Sequence, residues 1–157
     1  MEDHKKFMRE AIRLSLENVT SGKGGPFGAV IVKNGEIIAT GANEVTSSND
    51  PTAHAEVVAI RNACKKLGTF QLDDCIIYTS CEPCPMCLGA IYWARPKQIY
   101  YANTKKDAAK INFDDDFIYN EIDLSIDQRK LTTTQLLREE AQVAFMEWMD
   151  SEMKKEY

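Results

Sequence analysis

The chain has 157 residues, 44% of them apolar, a length and composition typical of one globular domain with a sizeable buried core. Its 19 basic and 24 acidic side chains give a net charge of -5, whereas a protein that grips a polyanion normally carries an excess of Lys and Arg. The charge therefore counts against tRNA or DNA as the ligand and favours a small neutral substrate.

Two further features of the sequence bear on the cellular compartment. Neither a signal-peptide-like stretch nor a run approaching about 18 apolar residues is found, so we expect no membrane span. The five cysteines are an odd number, and Cys81, Cys84 and Cys87 fall within seven residues. This spacing favours reduced thiolates and a metal over disulfides, and it predicts a cytoplasmic protein.

Hydrophobic periodicity predicts a first helix over residues 5–19, with Asp3 available as its cap. Two apolar runs follow, 27–32 and 36–39, joined by Asn34-Gly35, the preferred two-residue turn of an antiparallel hairpin. The polar stretch 45–52 predicts a loop. The remaining predicted elements are a helix over 55–67 that stops at Gly68, a strand over 75–79, a helix over 83–93 opened by proline, a strand over 98–102 and a long amphipathic helix over 132–153.

This succession of elements predicts the fold class. A hairpin followed by alternating helices and strands indicates an α/β fold in which a mixed sheet is covered on both faces, a three-layer α/β/α sandwich. No internal repeat, low-complexity segment or linker interrupts the chain. We therefore predict a single domain over residues 1–157.

The pattern with the clearest chemical meaning joins His54-Ala55-Glu56 to Pro83-Cys84-Pro85-Met86-Cys87, which lies thirty residues further on. One imidazole and two thiolates can occupy three of the four tetrahedral positions of Zn²⁺, and an open fourth position for water is typical of a catalytic site. H-x-E followed by P-C-x-x-C is the pairing found in zinc-dependent deaminases. We therefore predict one zinc ion bound by His54, Cys84 and Cys87.

Helix geometry constrains where these side chains lie. On a helix that starts at Pro83, Cys84 and Cys87 lie about 60° apart on one face, near the positive end of the helix. His54 and Glu56 would lie about 200° apart within a regular helix, so His54 should sit at the boundary of a helix that begins at about residue 54. Glu56, which is not a ligand, is the predicted proton shuttle between the attacking water, a ring nitrogen and the departing amine.

Other interpretations exist for the same residues. An isolated His is more often packed or on the surface, and an isolated Glu is usually solvated, but here all the parts occur together and in order. The spacing of Cys81, Cys84 and Cys87 also begins a bacterial iron–sulfur motif; its fourth Cys is missing, and it would leave His54 and Glu56 unexplained. We expect the remaining cysteines to be buried small apolar residues: Cys64, Cys75 and Cys81.

Four segments resemble the cytidine-deaminase superfamily: residues 24–32, 49–56, 78–95 and the Phe-Asp-Asp of 113–115. Within that superfamily the chain is similar, almost end to end, to the compact bacterial guanine deaminases, which convert guanine to xanthine and ammonia. The Phe-Asp-Asp segment and the Tyr-terminated tail are the more particular parts of this match. The resemblance implies a cytidine-deaminase-like mixed sheet of five strands and one zinc ion per subunit.

The resemblance also implies roles for individual residues. Asn43 hydrogen-bonds the base, Phe27 and Trp93 wall the pocket, Ala55 belongs to the substrate-binding set, and Asp115 reads guanine's donor edge or moves protons there. Guanine presents N1–H and its 2-amino group as donors on one edge, which a carboxylate accepts, while an amide can serve the ring acceptors. In the alternative interpretation Asn43 ends a strand, Phe27 and Trp93 are core residues, and the acidic run is a solvated loop.

A charged terminal segment such as Lys-Lys-Glu-Tyr is ordinarily frayed and dispensable. The resemblance implies instead that residues from about 132 to 157 cross to the partner in a domain-swapped homodimer. The final Tyr157 would then close the neighbouring pocket.

Several functions share the metal motif. Guanosine, cytosine and tRNA-adenosine deaminases differ from a guanine deaminase in the pocket and the tail, and the sequence does not show whether there is room for ribose. A different class of function is a catalytically silent, zinc-stabilised scaffold. Glu56 argues against a scaffold, because a purely structural site has no use for a proton shuttle beside an open coordination position.

Overall fold

The structure, a computed structural model, describes residues 2–157 and has a four-stranded sheet at its centre. The strands are β1 (Gly28–Lys33), β2 (Glu36–Ala42), β3 (Cys75–Cys81) and β4 (Gln98–Asn103), in the order β2-β1-β3-β4. β1 pairs antiparallel with both β2 and β3, whereas β3 and β4 are parallel. The sheet is therefore mixed, as predicted.

The hairpin of β1 and β2 is confirmed. Asn34 and Gly35 both have positive φ, 51° and 79°, as a type I′ turn requires. A bulge between Ile31 and Val32 shifts the register in the middle of the pair. The turn joins the two strands at the Lys33–Glu36 pair. β1 lies one residue later than predicted at both ends, and β2 begins at residue 36 as predicted but ends three residues later, at Ala42.

Helices cover both faces of the sheet. On one face α1 (Glu2–Thr20) buries Phe7 and Ala11 against side chains of β1 and β3. On the other face α3 (Ala55–Leu67) and α4 (Pro85–Ala94) form the larger cluster; its strand members are Ala29, Ile31, Ala39, Cys75 and Ile77, and its helical members are Ala55, Ala59, Ala63, Ile91 and Ala94. The three-layer α/β/α sandwich is confirmed, and burial on both faces explains why β1 is apolar at nearly every position.

The expected fifth strand is wrong: residues 2–157 contain four strands in this sheet. The chain that follows β4 enters helices instead, α5 (Lys105–Lys110), α6 (Asp116–Asp123) and α7 (Arg138–Asp150). Thr104 starts α5 with a capping box, because its hydroxyl accepts from the Asp107 backbone N–H and the Asp107 carboxylate accepts from the Thr104 N–H. Local capping thus turns the chain away from the sheet directly after β4.

Several helix limits also differ from the prediction. α1 begins at Glu2, so Asp3 lies inside the helix and does not cap it. A short helix, α2 (Val45–Ser48), occupies part of the predicted loop and ends where Asn49 adopts a left-handed conformation with φ 52°. α7 spans residues 138–150 and not 132–153, since the three β-branched residues 132–134 favour helix poorly and Leu137 is left-handed with φ 54°.

The described chain divides into two compact units, one that ends at Ile118 and one of Tyr119–Tyr157. The first unit contains the sheet, both apolar clusters and α1 to α5. The second contains a 3₁₀ turn (Ile126–Gln128) and α7, neither of which buries a residue. Among the helices of residues 2–157, none combines the length and apolar character needed to cross a bilayer.

Candidate metal centre

The first ligand lies at a helix boundary, as the sequence predicts. His54 is the N-cap of α3, with φ −71° and ψ 156°, and the helix proper begins at Ala55. This extended residue breaks the 100° helical step, so His54 and Glu56 need not lie on opposite faces. The prediction that the helix begins at about His54 is confirmed.

The two sulfur ligands lie at the start of α4. Cys84 is the N-cap and Pro85 the first helical residue, so α4 begins two residues later than predicted. Proline suits this first position because the backbone N–H of a first helical residue has no acceptor within the helix, so a residue without an N–H loses no hydrogen bond there. The Cys84 sulfur accepts from the Cys87 backbone N–H at 3.5 Å, and this places both sulfurs at the positive end of the helix.

The three candidate ligands come together in space. His54 Nδ1 lies 3.5 Å from the Sγ of Cys84 and 3.5 Å from the Sγ of Cys87, and the three ligand atoms fall within 4.8 Å of one another. With usual Zn–N and Zn–S bond lengths, a tetrahedral zinc ion separates a nitrogen and a sulfur ligand by roughly 3.6 Å. The donor set and its spacing therefore fit Zn²⁺.

Electrostatics at the two sulfurs also suit a cation. Hydrogen bonds from Cys87 and from His54 hold the pKa of the Cys84 thiol well below its usual range. The hydrogen bond to Cys84 and burial raise the pKa of the Cys87 thiol. Bound zinc would let both sulfurs bind as thiolates.

Glu56 lies beside this centre in the first turn of α3 and is only 6% exposed. Burial raises the pKa of its carboxyl group, since the charged form loses solvation. The Thr79 hydroxyl donates to Glu56 Oε1 at 3.3 Å. Glu56 is not one of the three grouped ligands, which matches the predicted unligated carboxylate.

Asp115 is the second carboxyl group near the centre. Its Oδ1 is buried and, within residues 2–157, has no hydrogen-bond partner. Burial is the main cause that raises the pKa of Asp115, and the charges of Cys84 and Glu82 raise it further. A buried acceptor without a partner costs free energy, so this oxygen is available to a donor on a ligand.

Asn43 and Phe27 lie at the ends of the hairpin strands. Asn43 is buried, its side-chain oxygen accepts from the Val45 N–H at 3.2 Å, and its carbonyl accepts from Asn18 Nδ2 at 2.9 Å. Phe27 packs edge-on against Phe113, with ring centroids 4.9 Å apart and an interplanar angle of 89°. Phe113 precedes the two acidic residues 114 and 115, so this contact anchors the segment that carries Asp115.

The other predicted substrate contacts stay predictions. Ala55 is fully buried, its side chain belongs to the larger apolar cluster, and its backbone N–H lies in the first turn of α3. Trp93 lies on α4 and is 62% exposed, and Tyr157 lies in the second unit and is 66% exposed.

The remaining cysteines lie outside the ligand group. Cys75 and Cys81 are buried and Cys64 is half-buried, and all three are free thiols. Cys81 donates a weak hydrogen bond to the Thr104 carbonyl, with sulfur and oxygen 3.7 Å apart. These surroundings agree with small apolar residues and not with the iron–sulfur alternative.

Three residues at or behind the site were missed in the sequence: Asn18, Thr79 and Phe113. Thr79 is separated from Glu56 by 23 residues and Asn18 from Asn43 by 25, so no local pattern joins the pairs. Phe113 belongs to the Phe-Asp-Asp segment, which indicated a role for Asp115 but did not predict the contact of Phe113 with Phe27.

Comparison with known proteins agrees with this geometry. Residues 1–103 match the cytidine and deoxycytidylate deaminase zinc-binding region. Over 155 residues the chain is 59% identical to guanine deaminase of Bacillus subtilis (strain 168), covering 99% of each chain. The X-ray structure of guanine deaminase from Bacillus subtilis has a TM-score of 0.96 at 60% identity, with 98% of each chain covered.

More distant relatives match less of the chain. The tRNA-specific adenosine deaminase of Aquifex aeolicus (strain VF5) is 40% identical over 100 residues, 64% of this chain and 66% of that protein. A structure of guanine deaminase from Nitrosomonas europaea has a TM-score of 0.66 at 34% identity, covering 69% of this chain and 63% of that one. The chain therefore belongs to the zinc-binding cytidine and deoxycytidylate deaminase family and is similar over its full length to a bacterial guanine deaminase.

Proposed function

We propose that this protein is an enzyme that deaminates guanine hydrolytically to xanthine and ammonia, in the catabolism or salvage of purines. The observation on which the substrate assignment rests is the buried Oδ1 of Asp115, which has no hydrogen-bond partner among residues 2–157. A carboxylate in that position complements the N1–H and 2-amino donors of guanine. The full-length similarity to a guanine deaminase supports the same substrate, since it includes residues beyond position 103.

His54, Cys84 and Cys87 would hold the zinc ion through Nδ1 and the two Sγ atoms. Bound there, zinc supplies a Lewis acid that lowers the pKa of a coordinated water molecule towards neutrality. The three protein ligands leave a fourth position for that water.

Glu56 moves the protons that the reaction requires. Its buried carboxylate takes one proton from the attacking water and delivers it to the ring nitrogen N3. It then takes the second proton from the hydroxyl formed at C2, which becomes the C2 carbonyl, and gives it to the 2-amino nitrogen, which leaves as ammonia. A bond forms between C2 and the water oxygen, and the bond between C2 and the amino nitrogen breaks. The raised pKa of Glu56 suits a group that must both take up and release a proton.

The remaining side chains orient the base. Asp115 accepts from the donor edge of guanine, and Asn43 serves the ring acceptors with its amide. Phe27, held edge-on by Phe113, offers an apolar ring as a wall of the pocket. Trp93 and the backbone N–H of Ala55 complete the proposed set of contacts.

We also propose a homodimer in which residues from about 132 to 157 cross to the partner and Tyr157 closes its pocket. The second unit supports this proposal because its large apolar side chains are exposed: Leu131, Leu136, Leu137, Val143, Phe145, Met146, Trp148, Met149 and Met153. A second copy of the chain would cover this apolar surface. The five free thiols support a reducing compartment, the cytoplasm.

The substrate assignment is tested with a panel of amines. Purified zinc-loaded protein is incubated with guanine, guanosine, cytosine, cytidine and adenosine, and ammonia release is measured. We expect guanine to react fastest: cytosine, cytidine and adenosine lack the N1–H and 2-amino donor edge that matches Asp115, and guanosine, which shares that edge, tests whether the pocket admits ribose. Faster release from guanosine, cytosine or adenosine would replace guanine with that substrate.

A matched pair of variants tests the role of Asp115. Asp115→Asn should lower kcat/KM for guanine by about 10- to 100-fold, the usual effect of losing a charge-assisted hydrogen bond. The control Asp114→Asn removes the same charge from the exposed neighbouring residue and should change kcat/KM little. Undiminished guanine turnover in Asp115→Asn would remove the argument from the donor edge.

A further inference from the structure

Thr79 connects the central sheet to the proposed proton shuttle, because its side chain is hydrogen-bonded to Glu56. It lies on β3, is 1% exposed, and pairs with Ala29 of β1 and Tyr101 of β4. Its hydroxyl oxygen is 3.3 Å from Glu56 Oε1 and 3.0 Å from the Cys81 carbonyl oxygen. A buried hydroxyl between a carboxyl group and a carbonyl, at the centre of a sheet, has little freedom to move.

A hydroxyl has one proton to donate and lone pairs with which to accept. At 3.3 Å from Glu56 Oε1 and 3.0 Å from the Cys81 carbonyl oxygen, the Thr79 hydroxyl is within hydrogen-bonding reach of both. The Cys81 carbonyl belongs to the same strand, so it helps to fix the hydroxyl beside the carboxyl group.

We propose that Thr79 is a positioning residue for the deamination, one that holds the Glu56 carboxyl group in a single orientation beside the metal centre. The proposal rests on the proposed shuttle role of Glu56. Without the hydroxyl, Glu56 would be a nearly buried carboxyl group with one fewer hydrogen bond, and its oxygens could rotate away from the substrate. Thr79 acts on the reaction only through its hydrogen bond to the Glu56 carboxyl group. Loss of the Thr79 hydroxyl should therefore slow the chemical step and leave substrate binding unchanged.

The experiment compares Thr79→Val with Thr79→Ser, using guanine turnover by the zinc-loaded enzyme. Valine keeps the shape and removes the hydroxyl, whereas serine keeps the hydroxyl and removes a methyl group. We expect Thr79→Val to lower kcat by about 10- to 100-fold with KM within about twofold, and Thr79→Ser to restore most of kcat.

Thr40→Val is a matched control. Thr40 also lies on a strand of the sheet, opposite Val30, whose side chain belongs to the cluster beneath α1 and thus faces away from Glu56. This control should leave kcat unchanged. Zinc content and the midpoint of thermal unfolding are measured for every variant, so that misfolding is distinguished from loss of positioning.

Three outcomes overturn the proposal: unchanged kcat in a folded, zinc-loaded Thr79→Val, a rise in KM with kcat unchanged, or equal losses in the serine and valine variants. If Thr79→Val does not fold, the serine variant decides, because retained kcat supports the hydroxyl and lost kcat in a folded protein refutes it. A wild-type enzyme that releases no ammonia from guanine would instead refute the proposed function.

Discussion

The two units of the chain differ sharply in how they use apolar residues. Every residue that the structure buries, in the part of the chain it describes, lies at or before Ala108, in the first unit. The second unit buries no residue, and large apolar side chains in it are exposed; Leu136, for example, is 80% exposed. The apolar residues of the first unit therefore form its own core. Those of the second unit form an exposed surface, and burial within that unit does not explain them.

The chemistry follows the same division. The candidate ligands, the proton shuttle and Asp115 all lie in the first unit, in the first turns of helices or directly before them. Rigid elements can hold reacting groups within the narrow tolerance that catalysis needs. The proposed contribution of the second unit, Tyr157 as a lid, requires no such precision.

The largest expected effect tests whether the first unit carries the reaction. Glu56→Ala should lower kcat for guanine by about 10²- to 10⁴-fold, because it removes the general acid and base. Zinc should remain bound, since Glu56 is not among the grouped ligands, and elemental analysis would check this. Full guanine turnover in this variant would refute the proton-shuttle role of Glu56, whereas a wild-type protein that releases no ammonia would favour the catalytically silent scaffold. Glu36→Ala, an exposed carboxylate of β2, is the control.

The second prediction compares the two units by their stability. Ile31→Ala in the core should lower the free energy of unfolding by about 2–5 kcal/mol, because it leaves a cavity. Leu136→Ala in the exposed surface should change it by about 0.5 kcal/mol or less in dilute protein. Urea unfolding followed by tryptophan fluorescence measures both. A large loss in Leu136→Ala that grows with protein concentration would show that a second copy covers this surface.

The smallest expected effect tests the tail. Removing residues 155–157 should lower guanine turnover by about tenfold, because a missing lid leaves the site open to water. Zinc should stay bound, since its ligands lie far earlier in the chain. Lys155→Ala keeps Tyr157 and is the control for the lost charge. Full activity of the shortened chain would refute the lid.

Features that depend on neighbours in the chain could be predicted from the sequence. The hairpin turn follows from Asn34-Gly35, and the end of α3 follows from Gly68, which adopts φ 66°. The zinc ligands were also predictable, because H-x-E puts His54 at the start of one helix and P-C-x-x-C puts both sulfurs at the start of another. Even the place of His54 at a helix boundary followed from the 100° step of the α-helix.

Only the tertiary structure decided the contacts between distant segments. The hydrogen bond of Thr79 to Glu56, the ring contact of Phe27 with Phe113 and the unpartnered oxygen of Asp115 each depend on how strands and helices pack. The number of strands depended on it too, since apolar residues after β4 can serve a strand, a helix or an interface equally well. Short-range order is set by dihedral preferences and spacing, whereas these choices are set by which surfaces the whole chain can bury together.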